Sequence, residues 1–155
     1  MGPITVKAEA VLEAPAEEVY ATIADYRQGH SNILPKEFYD LQVEQGGYGA
    51  GTIFRFKMRM LGVEQSFYQR TSEPEPGRVL VEQDIDSVQK VTTTFRVTPL
   101  KQGQQSHVEI STTMRTSPGV RGLVERLLVL MINPRIYQKE LTLLEGVAQR
   151  RSAHV

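Results

Sequence analysis

The chain of 155 residues contains no cysteine. That excludes disulfides, a thiolate nucleophile and any metal site built on Cys, and it leaves the redox compartment unreadable. Charge excess is lacking too, with 18 Lys and Arg set against 18 Asp and Glu. Nucleic acid is therefore disfavoured as a partner, because phosphate binding leaves a basic footprint. Long apolar runs are missing. The longest, residues 127–133, falls far short of the roughly 20 residues a membrane-spanning helix needs. The opening Met1-Gly2-Pro3-Ile4-Thr5-Val6 holds no apolar signal core. A cytoplasmic protein without a transmembrane segment is expected, with peripheral membrane contact left open. No repeat, linker or low-complexity tract divides the chain. One domain over residues 1–150 is expected, with 151–155 as a frayed tail. A chain of this size buries about 68–70% of its unfolded surface, enough for a proper core.

Histidine is scarce. His30, His107 and His154 are scattered without zinc-ligand spacing, so neither metal nor cofactor is expected. His107 falls on the wet side of its strand if Val108 points inward. Ser66 and Ser111 have no His and Asp in a triad arrangement. The glycine-rich residues 46–51 open no helix and precede no Lys-Ser/Thr pair, so they read as a flexible turn and not as a phosphate loop.

What the chain does contain is pattern. Residues 4–13 alternate, with Ile4, Val6, Ala8, Ala10 and Leu12 on one face, as a half-buried strand does. Pro15 then suits the first turn of a helix, and Glu17 and Glu18 suit its positive end. Val19, Tyr20, Ile23 and Tyr26 give that helix an apolar stripe, and a loop or short second helix follows up to Pro35. Strands are expected over 38–45, 52–61, 63–71, 78–85, 88–99 and 107–116. The second is the clearest: Phe54, Phe56, Met58 and Met60 share one face, while Arg55, Lys57 and Arg59 share the other. Short turns between successive strands imply an antiparallel sheet.

A long helix is expected over 118–150. Ser117 suits its N-cap and Pro118 its first position. At about 1.5 Å per residue it spans roughly 50 Å. Val120, Leu123, Val124, Leu127 and Met131 form its apolar stripe, continued after Pro134 by Tyr137, Leu141, Leu144 and Ala148. Pro134 predicts a kink or break. Strands flanked by helices make an α+β domain.

Three pieces of this order resemble the START-like helix-grip superfamily (SRPBCC), in its polyketide cyclase/dehydratase-type branch. They are residues 12–20 running into Ile23-Ala24-Asp25-Tyr26, the string of hairpins from Phe38 to Met114, and Ser117-Pro118-Gly119 leading into the long helix. The resemblance spans nearly the whole chain. It implies a curved antiparallel sheet of about six to seven strands around a long C-terminal helix, with two short helices after the first strand. A hydrophobic cavity would lie between sheet and helix. Members bind lipids, sterols, quinones, polyketides or other apolar molecules, and a minority catalyse reactions on them.

By pattern alone the Phe54, Phe56, Met58, Met60 face is plain core. The resemblance makes it the wall of a cavity, joined by Phe67, Phe95 and Met114 from other strands and by Leu127, Leu130 and Met131 from the helix. Tyr26, His30, Ile33, Leu34 and Tyr137 are placed at the mouth. Glu82 and Asp84 share a face with Leu80. The opposite face carries Val79, Val81 and Ile85, so the two carboxylates are expected to point outward. Gln65 and Gln69 would bring amides inside if Phe67 faces inward; the register is open because Tyr68 holds the other face. A second helix stripe, Val129, Ile132, Ile136 and Leu143, is read as a surface for a partner or a homodimer, or as packed internally if Pro134 turns the helix. The function expected is non-catalytic binding of a small hydrophobic or lipid-like ligand. Alternatives are a cyclase/dehydratase-type enzyme with an inward Tyr or carboxylate, and an interaction module with a vestigial pocket.

Overall fold

The computed structural model describes residues 2–153. Strand β1 (Pro3–Leu12) leads into helix α1 (Ala16–Ala24) and a 3-10 turn at His30–Asn32. Six strands follow: β2 (Phe38–Gln45), β3 (Ile53–Met60), β4 (Val63–Glu75), β5 (Val79–Asp84), β6 (Thr92–Leu100) and β7 (Gln105–Arg115). Helix α2 (Gly119–Ala153) ends the described chain. All seven strands form one antiparallel sheet in the order β1-β7-β6-β5-β4-β3-β2. This is the helix-grip fold, α+β, with the sheet curved around α2.

The pairing follows from the alternation. Along β1, Ile4, Val6, Ala8 and Leu12 are buried while Thr5, Lys7, Glu9 and Val11 are exposed. A slip of one residue would turn the whole apolar set to water. Register shifts between Tyr39 and Gln42, between Val43 and Gln45, and between Ser72 and Glu75 bend the sheet, as bulges do. The last shift also explains how β4 runs on through Pro74, past residue 71 where the expected strand ends. A proline is tolerated where the ladder is already interrupted.

The core sits where α1 and the second half of α2 meet β1, β6 and β7. Val19, Ile23, Val108, Ile110, Leu141 and Leu144 are essentially inaccessible there. The strand expected from residue 88 begins only at Thr92. Asp86 and Lys90 adopt positive φ, and the Val91 N–H donates to Asp84 Oδ2 at 3.0 Å, which folds the connection back on β5.

Three expectations for the long helix change. It begins at Gly119, whose φ of 76° marks a sharp entry. Ser117 is held by Glu125, whose two carboxylate oxygens accept the Ser117 N–H and hydroxyl at 2.9 Å each. And α2 is continuous across Pro134. Proline there removes one bond to the Leu130 carbonyl, and the helix continues. It also extends past the expected tail, because Arg151 reaches Glu18 at 3.6 Å and Asp25 at 3.4 Å. Among the described residues no helix is long and apolar enough to cross a membrane.

Candidate functional site

A cavity of about 380 Å³ lies between the concave face of the sheet and α2. Its outer part is lined mainly by apolar side chains, with Gln65, Gln89, Arg115, Arg121 and Glu125 among them. Phe56 on β3 stands opposite Phe67 on β4, and their rings stack at 4.8 Å. Phe54 stacks on Phe56 at 5.8 Å, and Phe38 meets Phe56 edge-on at 5.8 Å. Met58, Met60, Phe95 and Met114 complete the strand lining. The open end is marked by lining residues that also reach water: Leu61 and Val63 at the β3–β4 tip, and Arg121 on α2.

The inner part is polar, and the sheet register builds it. Thr71, Glu82, Thr93 and Thr112 lie directly opposite one another across β4, β5, β6 and β7, so their side chains share the concave face. The expectation that Glu82 points outward is therefore corrected: Glu82 is 6% exposed and lines the cavity. Val79 had made the other face look apolar. It is buried at the strand end, where its carbonyl accepts from the Tyr20 hydroxyl, and Val81 is half-exposed. Asp84 shares the concave face opposite Gln69, so its expected outward direction is corrected as well; it is half-buried, accepting from the Gln69 amide at 2.9 Å and from the Val91 N–H. Gln65, Phe67 and Gln69 all line the cavity.

Glu82 is the centre of a buried cluster. The Tyr26 hydroxyl donates to Glu82 Oε1 at 2.6 Å. His30 Nε2 lies 3.4 Å from the same oxygen. His30 Nδ1 is 2.8 Å from the Ile23 carbonyl, which only accepts, so Nδ1 carries a proton and Nε2 is the nitrogen that faces the carboxyl. Tyr26 stacks on the imidazole at 4.4 Å and Phe95 meets it edge-on at 5.7 Å. Burial raises the Glu82 carboxyl above its ordinary value, while His30 and the Tyr26 hydroxyl draw it back. Tyr26 is itself raised, first by burial and then by the negative charge of Glu82.

Helix α2 contributes a second polar line. Asn133, Tyr137 and Glu140 recur at steps of four and three and all line the cavity. The Tyr137 hydroxyl bonds Thr112 Oγ1 at 2.5 Å, and Thr112 in turn bonds Thr93 Oγ1 at 2.8 Å. Burial pushes Tyr137 up to about 12. Glu140 is 3% exposed. Burial, reinforced by Glu82, raises its carboxyl well above the ordinary value. Among the described residues, Gln69 Oε1, Thr116 Oγ1 and Asn133 Oδ1 are buried without a hydrogen-bond partner, and all three residues belong to the lining.

The residues singled out from sequence divide as follows. Phe54, Phe56, Met58, Met60, Phe67, Phe95 and Met114 line the cavity. Leu127, Leu130 and Met131 do not; they are 55%, 47% and 65% exposed. Of the second stripe, read as either an outer surface or packed internally, Val129 and Ile132 pack against the core, Ile136 is buried, and Val129 lines the cavity; Leu143 stays exposed, at 40%. The two helix faces are thus exchanged in its first half. Stepping back from Leu144 by threes and fours gives Glu140, Tyr137, Asn133 and Val129. Polar residues on that line disguised it as the outer face. Of the expected mouth, Leu34 is half-buried and lines the cavity, while His30 and Tyr137 lie at the polar inner end. Tyr26 stands behind His30, and Ile33 is core. His107 is half-buried beside Glu9, and His154 lies outside the described residues. Glu140 and Asn133 were missed altogether; their four- and three-residue spacing from Tyr137 was the available signal.

A family model described as polyketide cyclase/dehydrase and lipid transport matches residues 3–149. No curated relative matches the sequence. Among solved structures, the chain is 25% identical to the KanY protein, with a TM-score of 0.82 over 96% of this chain and 99% of the other. It superposes on the Zhui aromatase/cyclase from Streptomyces sp. R1128 with a TM-score of 0.79 at 17% identity, covering 97% and 96% of the two chains. Norcoclaurine synthase from Thalictrum gives 0.73 at 14% identity, with 97% of each chain covered. The last two likenesses concern the fold.

Proposed function

Given that the chain belongs to the polyketide cyclase/dehydrase and lipid transport family, we propose that it binds a small, mostly apolar molecule carrying oxygen functions in the cavity between sheet and α2. The supporting observation is the division of the lining. Stacked phenylalanines and methionines line the outer part, and Gln69 and Asn133, each with a buried oxygen that has no partner among the described residues, belong to the same lining. A buried polar atom left unpaired costs about 1–3 kcal/mol. A ligand that supplies donors recovers this, whereas a pure hydrocarbon does not. Burying about 200 Å² of ligand apolar surface contributes about 5 kcal/mol before association costs. The cavity of about 380 Å³ is at the small end of the usual range of about 300–1,000 Å³, which favours a molecule of two to four rings over a long diacyl lipid.

The test is native mass spectrometry and thermal shift with hydroxylated polycyclic aromatics, quinones and fatty acids. Polycyclic compounds should bind, and Phe67→Arg should abolish that binding while the protein stays folded. Absence of binding across the panel, or binding untouched by Phe67→Arg, refutes the reading.

A second reading, acid–base turnover of the bound molecule, is favoured by the Glu82–His30 pair. A carboxyl and an imidazole nitrogen 3.4 Å apart at the inner end of an apolar site form a proton-accepting group of the kind general-base catalysis uses. With a β-hydroxy ketone, it would remove the proton next to the carbonyl. The carbon–carbon double bond then forms as the hydroxyl leaves with a proton as water. Loss of water from such a substrate, followed by mass, should be seen with the native protein and should vanish in Glu82→Gln with binding retained. Turnover unaffected by that substitution removes this reading.

A further inference from the structure

We propose that Glu140 is the group that selects the ligand, donating a hydrogen bond from its carboxylic acid to the carbonyl oxygen of a flat aromatic ketone; this rests on the ligand-binding reading above. Three observations carry it. Glu140 is 3% exposed and lines the cavity, yet among the described residues its side chain takes part in no ion pair or hydrogen bond. A buried carboxyl with no partner in the protein is costly to keep and is poised for a partner from outside.

Its surroundings decide the direction of that bond. Glu82 faces it from β5, Tyr137 stands one turn away on α2, and His30 and Tyr26 are engaged with Glu82. No Lys or Arg bridges to it, so the acid is better kept neutral beside a second carboxyl than ionised. A neutral carboxyl offers an O–H, and a ligand carbonyl is the complementary acceptor. The stacked rings of Phe56 and Phe67 at 4.8 Å make the outer part suited to a planar ring system, whose polar end would then point toward Glu140.

Xanthone and xanthene test this, since they share a three-ring skeleton and differ in a carbonyl against a methylene. Dissociation constants are measured by titration calorimetry at pH 6 on the full chain. The native protein should prefer xanthone by about tenfold to a hundredfold, the effect of leaving one buried polar group unpaired. Glu140→Gln, whose amide still donates, should retain the preference. Glu140→Leu should reduce it to within about twofold without weakening xanthene, and Glu140→Met provides the same comparison at nearly equal length if the leucine variant packs poorly. Equal affinities in the native protein, or a preference that survives Glu140→Leu or Glu140→Met, overturn the assignment. Failure of xanthene and xanthone alike overturns it together with the cavity reading, and so differs from binding without discrimination.

Discussion

Replacing Glu140 by glutamine should make the protein more stable at neutral pH and leave it nearly unchanged at pH 4. The carboxyl is buried against α2 and the polar row of the sheet, and its folded pKa is raised well above the ordinary value, first by burial and then by Glu82. The sign follows from proton counts. Above about pH 4.3 the unfolded chain ionises Glu140, while the folded chain holds the proton. The unfolded state is therefore favoured as pH rises, and stability falls by about 1.4 kcal/mol per pH unit until the folded group also ionises. Glutamine is close in shape and does not titrate, so that slope is removed. Glu82, raised in the same direction, leaves a residual slope in the variant. Glu44, Glu64 and Glu125 are lowered by their partners; they act in the opposite sense and below the window. The assay is urea denaturation of native protein and variant at half-unit steps from pH 4 to 8. Parallel stability profiles would refute the reasoning, and so would a variant that is less stable at pH 7.

Three further outcomes are expected. Leu144→Ala should cost about 2–5 kcal/mol by cavity formation, because Leu144 is fully buried, whereas Leu127→Ala should stay within about 0.5 kcal/mol; urea midpoints compare the two faces of α2 directly. Tyr26→Phe should cost about 1–3 kcal/mol by removing the donor at 2.6 Å from the buried Glu82 carboxyl, read by the same denaturation at pH 7. Asn133→Leu, which exchanges a buried amide whose Oδ1 has no partner for an apolar group of similar size, should stabilise by about 1–3 kcal/mol in thermal unfolding, at the expense of binding oxygenated ligands.

The strands were readable because a sheet wet on one side imposes strict alternation, as in Phe54 to Met60, and because short turns allow only antiparallel neighbours. The second half of α2 was readable for the same kind of reason: Leu141, Leu144 and Ala148 meet dry core. The first half was not. There the inward face borders a cavity, and Asn133 is polar by position while Leu127 and Met131 stand in water. Hydrophobicity marks what is buried in packed core; beside a lumen with polar groups it marks the wrong side. Glu82 failed for a related reason. Its inward direction depends on pairing with Thr93 and Thr71 on neighbouring strands, and no local pattern within β5 carries that information.

The sheet has one more consequence, for the order in which the chain can fold. β1 is made first and sits at the edge, yet its hydrogen-bonding neighbour is β7, with Pro3 opposite Arg115. The core under it is completed by Leu141 and Leu144 of α2. On a ribosome, therefore, this strand waits unpaired, with Ile4, Val6, Ala8 and Leu12 uncovered, until β7 and the second half of α2 have emerged. The hairpins from β2 to β6 can form earlier from local contacts. Contacts so distant in sequence slow folding, and an unpaired apolar edge is a site for misassociation while it waits. Charges at Lys7 and Glu9 on the alternate face of that strand are the kind of feature that keeps such an edge soluble.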